Sequence, residues 1–384
     1  MPLLSPDAVR ALGGPDSELR IGAAERAAAM PMPTAEEEVW RYSRIGELDL
    51  DRFTPGRVHT TVTGGSGPVD DGPTDDPVAS EAVTDLFHEL NNAFAEPLFI
   101  RIRAGRAMSD PIIVTHTISG NGTAVFPRLV IDAGADAEVT VVERFLSSNG
   151  DRCLVVPRVE VRAAQAARVR YLGVNMLNSS TWQIAHQRAI GDRDSNTLLA
   201  TVALGGDYAR VRTDARLIGQ GGTTRQIALY YADGNQMHDF RTLQDHAAPR
   251  TNSDLLFKGA VQDHALSVYT GLIKIREQAK GSVAFQTNRN LTLSEGAWAE
   301  SVPNLDIKTN DVKCSHASTI GPIDEEQRFY LESRGIPPEI AERLVVLGFF
   351  DEVLDQMPVG PFAAELRAEV TAKLRRRQDA QVAS

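Results

Sequence analysis

Within the run Asp311-Val312-Lys313-Cys314-Ser315-His316-Ala317-Ser318-Thr319, a thiol and an imidazole stand two residues apart. As thiolate and neutral ring, Cys314 and His316 are both ligands for iron. An i, i+2 pair in an extended strand points to one face, so the two would approach the same ion. Two ligands fall short of the four thiolates, or His-substituted equivalents, that a resident iron-sulfur cluster takes. The chain has one other cysteine, Cys153, and no CxxC pair. A cluster held here therefore needs donors from another chain or passes through transiently, and none is expected to stay bound to the lone chain. The plain alternative is a small buried thiol beside a surface histidine. Asp311 and Lys313 share a face by the same alternation and read as a solvated pair contributing little.

Other chemistry is thin. His186, His238, His246 and His264 are scattered, without HExxH spacing or a cysteine nearby. Cys153 adjoins Leu154-Val155-Val156 and reads as core. There is no GxxxxGK[ST] loop, so ATP hydrolysis is not expected; Gly205-Gly206 and Gly219-Gln220-Gly221-Gly222 read as turns. Asp207, Asp214, Asp233 and Asp239 are the carboxylates a carbohydrate-active β-helix enzyme would recruit, but no spacing singles out a pair. Nothing in the residues decides for or against a flavin.

The positioning elements fall into three parts. Residues 1–97 read as a helical region: Thr34-Ala35-Glu36-Glu37 has capping-box spacing, and Val83, Leu86, Phe87, Leu90 and Phe94 fall on one helix face. Between them, 64–77 is Gly, Pro, Ser and Asp with almost no apolar content and reads as a mobile acidic loop. Residues 98–320 form short alternating or apolar runs separated by small-residue turns, with no helix-length crossovers, which disfavours a doubly wound sheet. Pro127-Arg128, Ala133, Ala137 and Val139 recur 30 residues on as Pro157-Arg158, Ala163, Ala167 and Val169. Such an echo suits stacked coils, whose close approach favours small residues at corners. A sandwich or jelly roll is the rival, since alternation does not fix pairing direction. From 321 to 384 the pattern is helical: Asp324 caps one helix, Gly335 closes it, Pro337-Pro338 opens another, and a last helix spans Phe362–Arg377. Phe329, Tyr330, Leu331, Leu347, Phe349 and Phe350 supply apolar surface there, for packing or for a partner.

The chain has 384 residues, 42% hydrophobic and 24% charged, as folded domains do. A formal charge of -11 repels nucleic acid and anionic lipid. No run approaches the roughly 18 apolar residues that cross a bilayer. Met1-Pro2-Leu3-Leu4-Ser5 lacks a basic flank, and two distant cysteines suit a reducing compartment, so a cytoplasmic location is expected.

Tyr269-Thr270-Gly271-Leu272-Ile273, Gln286-Thr287-Asn288-Arg289-Asn290-Leu291, the Asp311–Thr319 run and Phe329-Tyr330-Leu331-Glu332-Ser333-Arg334-Gly335-Ile336 together resemble the signature region of the SufB/SufD family. Weaker likeness lies at Glu38-Val39-Trp40-Arg41-Tyr42 and Leu90-Asn91-Asn92-Ala93-Phe94. Cys314-Ser315-His316 is similar to the SufD branch, since the SufB counterpart resembles Glu-His-Glu and carries extra cysteines. Ala317 departs from the Gly often found there. The resemblance implies a mainly β protein, a right-handed parallel β-helix flanked by helices. It also implies a non-catalytic scaffold that pairs with SufB, binds the ATPase SufC through the C-terminal helices and meets a transient iron-sulfur cluster at the SufB interface. His316 and Cys314 are the implied metal-site residues, a subset of the six apolar C-terminal residues is the SufC dock, and a homodimer is open to the isolated chain.

Overall fold

The computed structural model describes residues 4–13, 17–65, 85–148, 150–358 and 360–383. Most of the expected acidic loop, and Val83, lie outside that set; Gly64 itself closes a strand, His59–Gly64.

Two helices open the chain, α1 (Pro6–Leu12) and α2 (Ser17–Ala29). The spacing at Thr34–Glu37 predicts a further helix, and half of its cap forms: the Thr34 amide donates to Glu37 Oε1 at 3.0 Å. A 3-10 turn, Glu38–Trp40, follows instead of an α-helix, with two more at Ile45–Glu47 and Leu50–Arg52. The arginines of the sheet beneath explain the first. Arg210 donates to the Val39 carbonyl and Arg241 to the Arg41 carbonyl, so neither is left for a helical ladder. Trp40 is buried between Phe87, with ring centroids 5.6 Å apart, and the Arg210 guanidinium. The result is a strap laid across the sheet. Phe87 belongs to α3 (Leu86–Phe94), capped by Asp85, whose carboxylate accepts from the His88 amide.

The β body is a parallel β-helix, with an 11-stranded and a 9-stranded sheet facing each other. Pairing is parallel throughout except at the start, where His59–Gly64 lies antiparallel on Ile112–Ile118. The 30-residue echo is a physical stack: Arg128 pairs with Arg158, Ala133 with Ala163, and Val139 with Val169. Pro127 and Pro157 lack the N–H a ladder needs, and they split the first sheet's early coils into two short strands. One coil later there is no proline, and Trp182–Gly191 runs unbroken, pairing with both halves below it.

One corner stacks left-handed residues. Gly105, Asp136, Ala166, Asp194, Gly221, Arg250 and Gly281 all have φ between 55° and 76°. The amide of each donates to the carbonyl just before the next coil's corner residue, from Gly105 to Ala135 through to Gly281 to Asp311. The turn geometry is therefore held by the backbone, and it recurs with Gly, Asp, Ala or Arg in place.

Helices cover both outer faces. The first sheet presents Ile184, Tyr208, Met237 and Val268 to the core formed with α2, α3 and the strap. The second presents Leu172, Leu198, Leu229 and Tyr231 to α5 (Pro338–Leu354) and α6 (Ala363–Ala383). Two buried lysines fix that contact. Lys258 Nζ bonds the Phe349 carbonyl and Glu352, and Lys373 Nζ bonds Asp233 and Gln236. In chain order α4 (Glu325–Ser333) comes between the last strand and these helices, with Asp324 accepting from the Glu326 and Gln327 amides and Gly335 just beyond at φ 84°.

Candidate functional site

The strand Trp298–Ile307 ends the first sheet and Val312–Gly321 ends the second; each pairs on one side only, with Leu266–Ile275 and Ser282–Thr292. This terminal rung presents a free backbone edge. Alternation decides which side chains line its lumen. Ser282, Ala284, Gln286, Asn288 and Asn290 are buried and point inward, and the register places Val312, Cys314, His316, Ser318 and Ile320 directly above them. Among the described residues no further coil stacks on top, so His316 and Ser318 are exposed although they sit on the lumen face.

Cys314 and His316 thus share a face, at different depths. Cys314 is half-buried against the small apolar cluster of Ile273, Ile275, Ala279 and Ala284. Desolvation pushes its thiol up from the ordinary value, which holds it as the weaker ligand and nucleophile in the lone chain. Among the described residues no three His, Cys, Asp or Glu side chains gather as a metal site. The pair alone supplies one nitrogen and one sulfur at an open edge, half of what a cluster takes. Asp311 and Lys313 are exposed on the outer side of the same segment.

The other histidines and carboxylates are committed elsewhere. His186 Nε2 lies 3.1 Å from Asp214, which also accepts from Arg212. His246 bonds Thr251 and Ser253, His238 faces the Gly205 carbonyl, and His264 is exposed. Asp207 accepts from Arg44 and Trp182, Asp233 from Lys373, and Asp239 from Tyr208, Arg210 and Arg241. These carboxylates are spread over the outer face and corners as ion-pair partners, with no convergent pair for glycoside chemistry. Cys153 is buried, its Sγ 3.3 Å from the Gly120 carbonyl, and desolvation followed by Asp151 pushes its thiol up.

The six apolar C-terminal residues divide cleanly. Phe329 and Tyr330 on α4 are 71% and 59% exposed. Leu331, Leu347 and Phe349 are half-buried, and Phe350 is fully buried beside Tyr231, so it is core and offers nothing to a partner. Leu344, exposed on α5, extends the apolar surface and was not legible in the pattern, because Leu344 and buried Val346 look alike until the helix is docked. Sequence reasoning also misses the apolar rim of the open rung, where Phe285, Trp298, Leu305 and Ile320 are exposed. Tyr42 of the strap reaches this rim, its ring 6.2 Å from that of Trp298.

Residues 116–349 match the SufBD core domain of SUF system FeS cluster assembly, from the first lumen histidine through the terminal rung into α5. The chain belongs to this family. It is 34% identical to an iron-sulfur cluster assembly SufBD family protein of Mycobacterium tuberculosis over 374 residues, covering 90% of this chain and 89% of that protein. It is 30% identical to the iron-sulfur cluster assembly protein SufD of Escherichia coli over 364 residues, 85% of each chain. SufD of Bacillus subtilis is 30% identical over 281 residues, covering 72% of this chain and 64% of that protein. The family match and these relatives place the chain in the SUF system. No helix among the described residues is long and apolar enough to cross a membrane.

Proposed function

We propose that this SufBD family member is the SufD-type scaffold subunit of a cytoplasmic SUF complex, without catalysis of its own. Its open terminal rung pairs edge to edge with a SufB-type chain, His316 then faces the shared interface, and a SufC-type ATPase docks on the exposed part of α4 and α5. The observation that carries this reading is the unpaired rung: two strands end their sheets with free edges, an apolar rim and a lumen-facing His316 left in solvent. Free edges of this kind are templates for strand addition. The pair His316 and Cys314 supplies too few donors for a resident cluster, so the cluster is cargo completed by donors from the partner. Cys314, with its raised thiol, is the secondary ligand. In isolation a second copy competes for the same edge, giving a homodimer.

The test is co-purification. Expressed with SufB-type and SufC-type chains, the wild-type protein is expected in one three-component complex. Phe329→Ala with Tyr330→Ala is expected to lose the ATPase and keep the SufB-type chain, because neither side chain is buried in this protein. Retention of the ATPase by that double variant, or failure of the wild type to join the SufB-type chain, contradicts the assignment.

A further inference from the structure

One rung below His316 sits an amide whose oxygen has nothing to bond. Gln286 is 1% exposed; its Nε2 is turned to the Tyr269 hydroxyl, and its Oε1 finds no hydrogen-bond partner among the described residues. Other lumen amides show what satisfaction looks like. Gln187 bonds Thr201 and Thr213, and Asn288 bonds Tyr230, whose hydroxyl in turn bonds Asn290. Folded proteins rarely keep a buried amide oxygen unsatisfied.

The surroundings give the amide a direction. Gly271 faces it from the opposite sheet. A Cβ built on Gly271 would lie 2.3 Å from the Tyr269 hydroxyl and 2.4 Å from Gln286 Nε2. The missing side chain is therefore what admits the amide, and its nitrogen lies on the Gly271 and Tyr269 side. Oε1 is the end left for the neighbouring rung. Directly above, in parallel register and on the same face, is His316. Neighbouring strands run about 4.8 Å apart, a gap that a ring and an amide bridge directly or through one water. Ser301, which stacks on Tyr269 in the terminal rung, also has an unpartnered Oγ. Two polar atoms without partners, Gln286 Oε1 and Ser301 Oγ, thus lie in the rungs at the histidine.

We propose that Gln286 is a positioning residue for His316: its Oε1 accepts a hydrogen bond from the imidazole N–H, directly or through one water shared with Ser301. The bond draws the ring over the lumen and fixes which nitrogen carries hydrogen, leaving the other with its lone pair turned toward the open edge. A nitrogen so presented is a ligand or proton acceptor for whatever the edge meets. The inference rests on the reading of His316 above only for its purpose; the geometry belongs to the chain alone.

The test uses the full chain by itself, with ¹⁵N-labelled histidine and ring nitrogen shifts read where the imidazole is neutral. His316→Gln identifies the signal. In the wild type the ratio of the two His316 tautomers is expected to differ about two- to tenfold from that of free histidine, the range one net hydrogen bond gives. Gln286→Met, close in shape and without the amide, is expected to return His316 to the free ratio while the melting temperature holds or rises. Gln286→Glu, which keeps an acceptor oxygen, is expected to restore the bias. Gln244→Met is the control, since Gln244 is another lumen amide with an unpartnered Oε1 but bonds Ser253 and does not lie under His316. An unchanged His316 signal in Gln286→Met overturns the proposal, as does an equal change in Gln244→Met. Because no partner chain is present, either result leaves the scaffold assignment to be judged by co-purification.

Discussion

His116 and His316 occupy the two ends of one lumen, and the protein treats them in opposite ways. His116 is buried: Nδ1 lies 2.8 Å from Thr60 Oγ1 and Nε2 lies 2.9 Å from Glu143, whose other oxygen accepts from the Tyr171 hydroxyl at 2.6 Å. An antiparallel strand, His59–Gly64, closes the edge beside it. His316 has the same inward parity and, among the described residues, no closing strand, and beneath it Gln286 Oε1 goes unsatisfied. Burial with full pairing makes a structural residue. Inward parity with an open edge leaves a residue in solvent, and the difference lies in what covers the coil, not in residue type.

The largest expected effect comes from the closed part of the molecule. Loss of hydration, reinforced by nearby cations, holds His88 down to about 2 and His238 to about 3, while burial alone, against an opposing Asp245, holds His246 to about 4. All three rings are neutral when folded, and the unfolded chain takes up their protons near pH 6.5. Their stabilisation is therefore complete above about pH 6.5 and is lost as pH falls toward the folded values. Each contributes at most about 2 kcal/mol of that loss between pH 7 and pH 5. Urea unfolding midpoints across this interval are expected to fall steeply, and His246→Gln to flatten the slope. A midpoint independent of pH would show that these rings are hydrated.

Next in size is the direct contrast of the two histidines. His116→Ala removes one donor from a buried carboxylate and opens a cavity, costing about 2–4 kcal/mol by denaturant unfolding. His316→Ala is expected to stay within about 0.5 kcal/mol, as exposed sites do. Equal costs at both ends would erase the distinction. The smallest effect tests the corner column that both ends share. Ala166 holds φ 59°, a conformation that glycine adopts without strain. Ala166→Gly is expected to raise stability by about 0.5–1 kcal/mol, read as a shift in urea midpoint.

Much of this was legible in the sequence, for identifiable reasons. The coils with a proline at the same place announce themselves, because Pro127 and Pro157 impose one break at one spacing. Later coils change length, so the repeat fades: Trp182 stacks on Tyr208, 26 residues on, and Leu266 on Trp298, 32 residues on. Alternation put Cys314 and His316 on one face but could not say which face, since parity becomes inward or outward only when the coil below is set. The 3-10 turn at Glu38–Trp40 was hidden because its cause, Arg210 and Arg241, lies far along the chain. For the same reason, deleting the residues after Gly321 is a poor test of the proposed ATPase dock. It would uncover Leu172, Leu198, Leu229 and Tyr231 and strip Lys258 of Glu352, whereas Phe329 and Tyr330 can be truncated on an intact fold.

The central claim is that the open rung serves cluster assembly through His316. Its most direct measurement is the iron and sulfide content of the three-component complex reconstituted with His316→Ala, set against wild type and Cys314→Ser, with size-exclusion profile and melting temperature recorded on the same samples. The account predicts an intact complex of unchanged melting temperature whose cluster content drops severalfold with His316→Ala and less with Cys314→Ser. Normal iron and sulfide in the His316→Ala complex would contradict it.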